Sequence, residues 1–216
     1  MYKPKIRICP EGTIYLIGLG FFSLLLALWG WEWLSFLVFI LFVLVLNFFR
    51  DPYRVIPQEK DVAVSPADGK VVKIWRDICP FTGEEREVIS VFMNIFNVHV
   101  NRTPVTGKLK SVRYIPGKFF NASLDKASKD NERNLLHIED EEKNLWTVVQ
   151  IAGLIARRIV CFWEIGELLK RGERFGLIKF GSRLDLYLPS SYKPVVNIGD
   201  KVLAGESILA KKRTNE

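Results

Sequence analysis

The stretch that most constrains this chain runs from Ile14 to Phe49, where Glu32 is the single charged side chain. It divides at Trp29-Gly30-Trp31-Glu32-Trp33 into two apolar runs, 14–30 and 33–49, each of 17 residues. That length is the lower limit for a membrane-spanning helix. Lys3, Lys5 and Arg7 ahead of the first run resemble the start of a secretory signal, but two runs back to back exceed a signal's apolar region. The expected arrangement is a transmembrane helical hairpin. Its tryptophans lie at the far interface, where an apolar ring with a polar N–H is at home, and Glu32 lies in the exposed turn. Lys3, Lys5 and Arg7 before the hairpin and Arg50 and Arg54 after it place both termini on the cytoplasmic side. A re-entrant or interfacial hairpin satisfies the same lengths. Either way, residues 1–50 read as a membrane anchor and 51–216 as a tethered domain.

Of the net charge of +7, residues 1–50 contribute +2 (four Lys or Arg against Glu11 and Glu32), leaving +5 for residues 51–216. A basic domain beside a bilayer suits anionic lipid. Nucleic acid is the other partner of a basic chain, but no zinc finger, helix-turn-helix or RNP pattern is present, so none is expected. Cys9, Cys79 and Cys161 are too far apart for a CxxC site and read as inert thiols, with neither a disulfide framework nor zinc.

After residue 50 the chain turns to short apolar runs broken by Gly, Pro and Asp, the pattern of a mainly β domain. Strands are expected at 62–64, 69–75, 87–93, 107–114, 134–139, 145–151, 158–160, 175–188 and 207–211, with 117–131 an irregular loop or helical turn. Two pieces, "VSPADGKVVKI" (64–74) and "VNIGDKVLAGESILAKK" (196–212), share a strand, glycine turn, strand pattern. They resemble the half-motifs of the flattened β-sandwich of lipoyl and biotinyl carriers, and "LDKAS" (124–128) supplies an Asp-Lys-Ala tripeptide like that of lipoyl attachment. A membrane-tethered carrier is therefore a competing reading. Against it, a lipoylated lysine sits on a hairpin tip midway between half-motifs, whereas Lys126 follows an aromatic loop.

The run "IKFGSRLDLYLP" (178–189) sets Phe180, Ser182, Leu184, Leu186 and Leu188 on one strand face. Gly181 packs nothing in a strand, and such a glycine marks a bulge or a close approach to the backbone. Histidine is scarce: His99 and His137 are the two candidates for proton transfer near neutral pH. In "FNVHVNRTP" (96–104), alternation puts His99 opposite Phe96, Val98 and Val100, on a face shared with Asn97 and Asn101 that lines a cleft or faces water. Asp68, in "SPADGK", reads by itself as a turn residue. Ser182 by itself reads as a strand serine, since no GxSxG elbow or SxxK surrounds it.

Taken in order, "FFRDPYR" (48–54), "SPADGKV" (65–71), "FNVHVNRTPVTG" (96–107), "FFNASLDKASKDNERN" (119–134) and "RFGLIKFGSRLDLYLP" (174–189) resemble the phosphatidylserine decarboxylases, specifically their shorter prokaryotic branch. The resemblance implies a pyruvoyl-dependent proenzyme, cut between Gly181 and Ser182 into a β chain of residues 1–181 and an α chain of residues 182–216 that stay together as a heterodimer, with further oligomers compatible. It makes 51–216 the catalytic domain. Ser182 becomes the covalent pyruvoyl group that forms a Schiff base with the lipid amine. No metal and no pyridoxal phosphate are called for. His99, steered by Asp68, is expected to be the base for cutting and the proton donor in decarboxylation. The implied reaction converts phosphatidylserine to phosphatidylethanolamine and CO2 at the cytoplasmic face of the cell membrane, and the residues do not distinguish this lipid from archaetidylserine or another serine phospholipid. Arg50, Arg54 or Arg102 would orient the headgroup, with Phe119, Phe120 and Asn121 as further substrate contacts. The longer branch has Leu-Gly-Ser-Thr where this chain has Phe180-Gly181-Ser182-Arg183, and a second histidine where this chain has Arg102. That second difference loads cutting and decarboxylation onto His99 alone.

Overall fold

A computed structural model describes residues 6–122, 130–154, 159–178 and 181–214, and the chain divides into two compact units, Met1–Tyr53 and Arg54–Glu216. The first is a helical hairpin closed by a short ribbon. Strand β1 (Ile6–Ile8) pairs antiparallel with β2 (Arg50–Pro52), and between them lie helices α1 (Pro10–Leu28) and α2 (Glu32–Phe48). α1 begins four residues before the expected Ile14 because Pro10 occupies its first turn, where a fixed φ suits the helix and a missing N–H is no loss. Gly30, at φ +79°, ends it: its N–H bonds the Ala27 carbonyl and the Trp31 N–H bonds Leu26, so two orphan carbonyls are satisfied as the chain reverses. Ser23 and Ser35 bond across the two helices, each hydroxyl donating to the other's backbone carbonyl at 3.1 and 2.7 Å. At 19 residues and mean hydropathy 1.8, α1 is long and apolar enough to cross a membrane, whereas α2, at 17, is shorter. Trp29, Trp31 and Trp33 are all exposed at the turn.

The second unit is mainly β, as its composition demands. Its strands are β3 (Val62–Val64), β4 (Gly69–Ile78), β5 (Glu85–Met93), β6 (Val100–Arg102), β7 (Gly107–Ile115), β8 (Arg133–Asp140), β9 (Leu145–Ala152), β10 (Ile159–Cys161), β11 (Leu168–Leu169), β12 (Arg174–Ile178), β13 (Ser182–Tyr187), β14 (Tyr192–Pro194), β15 (Lys201–Val202) and β16 (Ile208–Lys212). An eight-stranded antiparallel sheet runs β11-β7-β8-β9-β13-β5-β4-β15, beside three-stranded sheets β10-β12-β6 and β14-β16-β3. The two similar half-motifs pair with each other, β3 with β16 and β4 with β15, so the first and last strands of the unit are knitted together.

Alternation decides which side chains go inward. Ile89, Val91 and Met93 from β5, Leu184 and Leu186 from β13, Leu136 and Ile138 from β8, and Trp146 and Val148 from β9 join Phe175, Ile178, Leu209 and Ala210 from the smaller sheets in one buried core. The opposite face of the large sheet carries a smaller cluster of Cys79, Val88, Leu135, Val149, Ile151 and Tyr187. Strand β13 is covered on both faces.

The expected single strand 175–188 is two strands in two sheets. β12 belongs to the sheet with β6, while β13 lies between β9 and β5 of the large sheet. Gly181, at φ +61°, stands where the chain enters β13, so its conformational freedom serves a crossing between sheets and not a bulge within one. Phe180 and 123–129 of the expected loop lie outside the described residues.

Candidate active site

Ser182 opens β13, paired with Met93 of β5 and Ala152 of β9, and is fully buried. Its position continues the inward row of Leu184 and Leu186, so the hydroxyl points at the core, where Oγ lies 3.9 Å from Met93 Sδ. A thioether is a weak acceptor, and a hydroxyl held this loosely can turn toward the preceding carbonyl. That carbonyl belongs to Gly181 and lies over Gly153: a Cβ at position 153 would sit 2.0 Å from the Gly181 oxygen and 2.8 Å from its carbon. Gly153 is therefore a place where no side chain fits.

His99 reaches the same bond from another loop, 82 residues away in sequence. It precedes β6 instead of lying in a strand, because 94–97 form a tight turn. The Asn94 N–H donates to Asn97 Oδ1 and the Phe96 N–H to Asn94 Oδ1, each at 2.9 Å. That turn leaves Phe96 61 % exposed and carries His99 inward to 1 %. The Gly181 N–H donates to His99 Nε2 at 3.3 Å, and Nδ1 lies 2.9 Å from the Asn97 carbonyl. Both contacts agree with one neutral tautomer, protonated at Nδ1 and with its lone pair on Nε2 beside Gly181-Ser182.

Asp68 is placed differently. Arg54 Nη2 donates to both of its carboxylate oxygens, at 2.9 and 2.8 Å, and the Ala204 N–H donates to Oδ1 at 2.7 Å. Among the described residues, Arg54 and Ala204 are the partners of this carboxylate, and the group that holds the His99 ring at Nδ1 is the Asn97 carbonyl. Arg54 is buried and also lies 3.7 Å from Glu206, so it is not exposed as a membrane-flanking or headgroup-facing cation. Arg102 is buried too: its Nη1 donates to the Gly172 carbonyl at 3.0 Å, and it borders a cleft of about 480 Å³ with Phe162, Trp163, Glu167, Glu173 and Arg174.

Two buried side chains that sequence reasoning missed tie the aromatic loop to this site. Asn131 Nδ2 donates to the carbonyls of Phe120 and Ala152 at 2.8 and 2.7 Å, and its Oδ1 accepts from the Phe120 N–H. Arg183 donates to the Ala122 carbonyl at 3.2 Å while forking onto Asp185 through two bonds of 2.9 Å. Phe119, Phe120 and Asn121 are thereby held, exposed, beside the start of β13. On the inner side, Asn134 donates to Gln150, Gln150 to Asn101, and Asn101 to the Met93 sulfur, a fully buried amide chain that ends at the atom facing Ser182. Asn101 shared a strand face with His99 in the expected pattern; nothing in the sequence marks Gln150 or Asn131.

His137 is elsewhere, on β8, with Nδ1 3.2 Å from Thr147 Oγ1 and its ring stacked on Phe81 at 4.7 Å. Burial, and then the Arg86 charge, push its pKa below the usual histidine value. Among the described residues no three His, Cys, Asp or Glu side chains gather as a metal site.

A buried serine preceded by a left-handed glycine, with a neutral imidazole alongside, suits chemistry on the chain's own backbone. Residues 41–210 match the family model described as phosphatidylserine decarboxylase. A phosphatidylserine decarboxylase proenzyme of Solidesulfovibrio magneticus is 55 % identical over 98 % of this chain and 99 % of its own. Proenzymes of the same name from Nitratidesulfovibrio vulgaris and Polynucleobacter asymbioticus are 52 % and 47 % identical, each over 98 % of both chains. The chain belongs to the phosphatidylserine decarboxylase family.

Proposed function

We propose that this protein is a membrane-tethered proenzyme that cuts itself between Gly181 and Ser182 and then converts phosphatidylserine to phosphatidylethanolamine and CO2. The observation that carries the reading is the approach of His99 Nε2 to within 3.3 Å of the Gly181 nitrogen, beside a fully buried serine. Support for the substrate comes from the shared name of the near full-length relatives.

In the cutting step His99 Nε2 exchanges the Gly181 N–H for the Ser182 hydroxyl and takes its proton. Oγ attacks the Gly181 carbonyl carbon, the C–N bond breaks as His99 passes that proton to the Ser182 nitrogen, and the Gly181 carbonyl is left as an ester on Oγ. Loss of the Ser182 α-proton and rupture of the Cβ–O bond release Gly181 as a carboxylate. Addition of water to the resulting dehydroalanine expels ammonia and leaves a ketone at residue 182. The open space over Gly153 is what lets the carbonyl sit where Oγ can reach it. This pyruvoyl group supplies the carbonyl electron sink for loss of CO2 from the lipid serine.

The fragments 1–181 and 182–216 stay joined without the peptide bond, because β13 of the small one pairs with β5 and β9 of the large one and β16 pairs with β3. During turnover His99 holds a proton for the carbon that loses CO2. Asp68 is a positioning residue: it holds Arg54 and the Ala204 N–H, and so the turn whose Pro66 carbonyl receives the Arg102 N–H. Phe119, Phe120 and Asn121, exposed beside the start of β13, border the approach of the lipid. Residues 1–50 anchor the enzyme, with 51–216 on the cytoplasmic side.

Incubation of the purified protein with phosphatidylserine vesicles and cyanoborohydride tests the reading. Product lipid and CO2 should appear without reductant, and with it the substrate amine should become bonded to the 182–216 fragment. Labelling of a lysine instead, or no lipid turnover, would contradict it.

A further inference from the structure

The loops around residue 182 share a property that the chemistry there does not use. Across the large sheet Ile115, Arg133, Ile151, Arg183 and Phe92 are successive pairing partners. The segments leaving β5, β7 and β9 and those entering β8 and β13 therefore lie at one end, the end that carries Ser182. Among the described residues, the large side chains exposed there include Ile95, Phe96, Phe119, Phe120 and Leu154, from three separate loops. The Asn94 and Asn97 side chains close the first of these, so its apolar tip is held out into solvent. At the opposite end exposed apolar side chains such as Ile78 and Leu168 stand among ion pairs: Arg86 with Glu84, Lys143 with Glu139, Lys212 with Glu142 and Arg213 with Glu87. An ion-paired surface is at home in water, whereas a group of exposed large apolar side chains marks a partner.

We infer that the Ser182 end of the large sheet docks into the headgroup layer of a bilayer, with Ile95, Phe96, Phe119, Phe120 and Leu154 as its apolar contact. This rests on the phospholipid reading above. The amine and carboxylate of a serine phospholipid are only a few bonds from its phosphate, while Ser182 is fully buried. A lipid whose chains remain in the bilayer reaches residue 182 only when the surrounding loops descend to headgroup depth. The charges fit that depth. Lys118 is exposed with Nζ 5.9 Å from the Phe120 ring, an aromatic and a cation side by side as at membrane interfaces, while Asp130 and Glu132 lie on the arm returning into β8.

Two measurements decide it. With 4-fluorophenylalanine at position 96, in vesicles containing a lipid bearing a nitroxide near the glycerol, the fluorine signal should broaden several-fold. The same label at Phe81, in the β4–β5 turn at the other end, should stay sharp; an unbroadened signal at position 96 overturns the inference whether or not the enzyme is active. Phe96→Asp should raise KM for long-chain phosphatidylserine vesicles at least tenfold, with fragment formation and turnover of monomeric short-chain phosphatidylserine unchanged within twofold. Equal losses on monomers and vesicles would place Phe96 in the reacting site and refute the docking surface. If the unsubstituted protein turns over neither substrate, the functional reading fails, and the fluorine signal still decides the surface.

Discussion

The two ends of the eight-stranded sheet are made from the same strands and do opposite things. At the far end β4 turns into β5 across residues 79–84 and β8 into β9 across 141–144, short connections whose charges are paired. At the near end exposed apolar side chains from three loops surround a bond held between a left-handed glycine, a side-chain-free position at 153 and an imidazole. The far end closes hairpins; the near end gathers residues that sequence keeps far apart. Substitutions at that bond should accordingly act on chemistry, and substitutions at the far end on stability alone.

The largest expected effect is that of Ser182→Ala, which removes the nucleophile: fragment formation and decarboxylation should both vanish while the thermal transition stays cooperative, checked by gel and calorimetry. His99→Ala should slow cutting by about 10²–10⁴-fold, the usual contribution of a positioned base; cutting at the normal rate would mean that another group takes the proton. Gly153→Ala sharpens the comparison without touching a reactive atom. Its Cβ would displace the Gly181 carbonyl, so the cutting rate, followed as fragment against time, should drop by at least about tenfold per ångström-scale misplacement of the reacting atoms.

Asp68→Ala tests the ion pair behind the site. Arg54 would be left buried without its doubly bonded partner, at a cost of about 3–5 kcal/mol in unfolding free energy measured by denaturant titration. Arg213→Ala, at the far end, removes a half-exposed partner of Glu87 and should change stability by about 0–1 kcal/mol with cutting untouched. Smallest of all is a pH effect at His137. Its pKa is held below the usual 6.5, so between that lowered value and 6.5 the unfolded chain binds more protons than the folded one, and stability falls as pH drops through this window. His137→Gln should flatten that slope in thermal melts at a series of pH values.

The sequence made some of this legible and hid the rest for physical reasons. The helical hairpin was written in the near absence of charge between Ile14 and Phe49, and most strands in runs whose inward faces now form one core. The half-motifs were visible as repeats, though not that β3 would pair with β16. Ser182 was readable as part of an inward row because period two is local; the passage of the chain from one sheet to another just before it was not, because an uninterrupted apolar run fits one strand or two. Asp68 illustrates the limit most clearly. Its place in a turn was legible from Asp-Gly, but its engagement by Arg54, and the role of a backbone carbonyl at Asn97 in orienting His99, depend on side-chain directions that no spacing encodes. Gly153 and Asn131 gave no local signal either, since each matters through a contact with a distant segment.

Intact-mass spectrometry of the purified full chain tests the central claim most directly. The account predicts two species, residues 1–181 ending in a free carboxylate and the 35-residue piece 182–216 lighter by one ammonia than its serine-started sequence. A single uncut chain of 216 residues from a preparation that decarboxylates the lipid, or a small piece that still begins with serine, would contradict it.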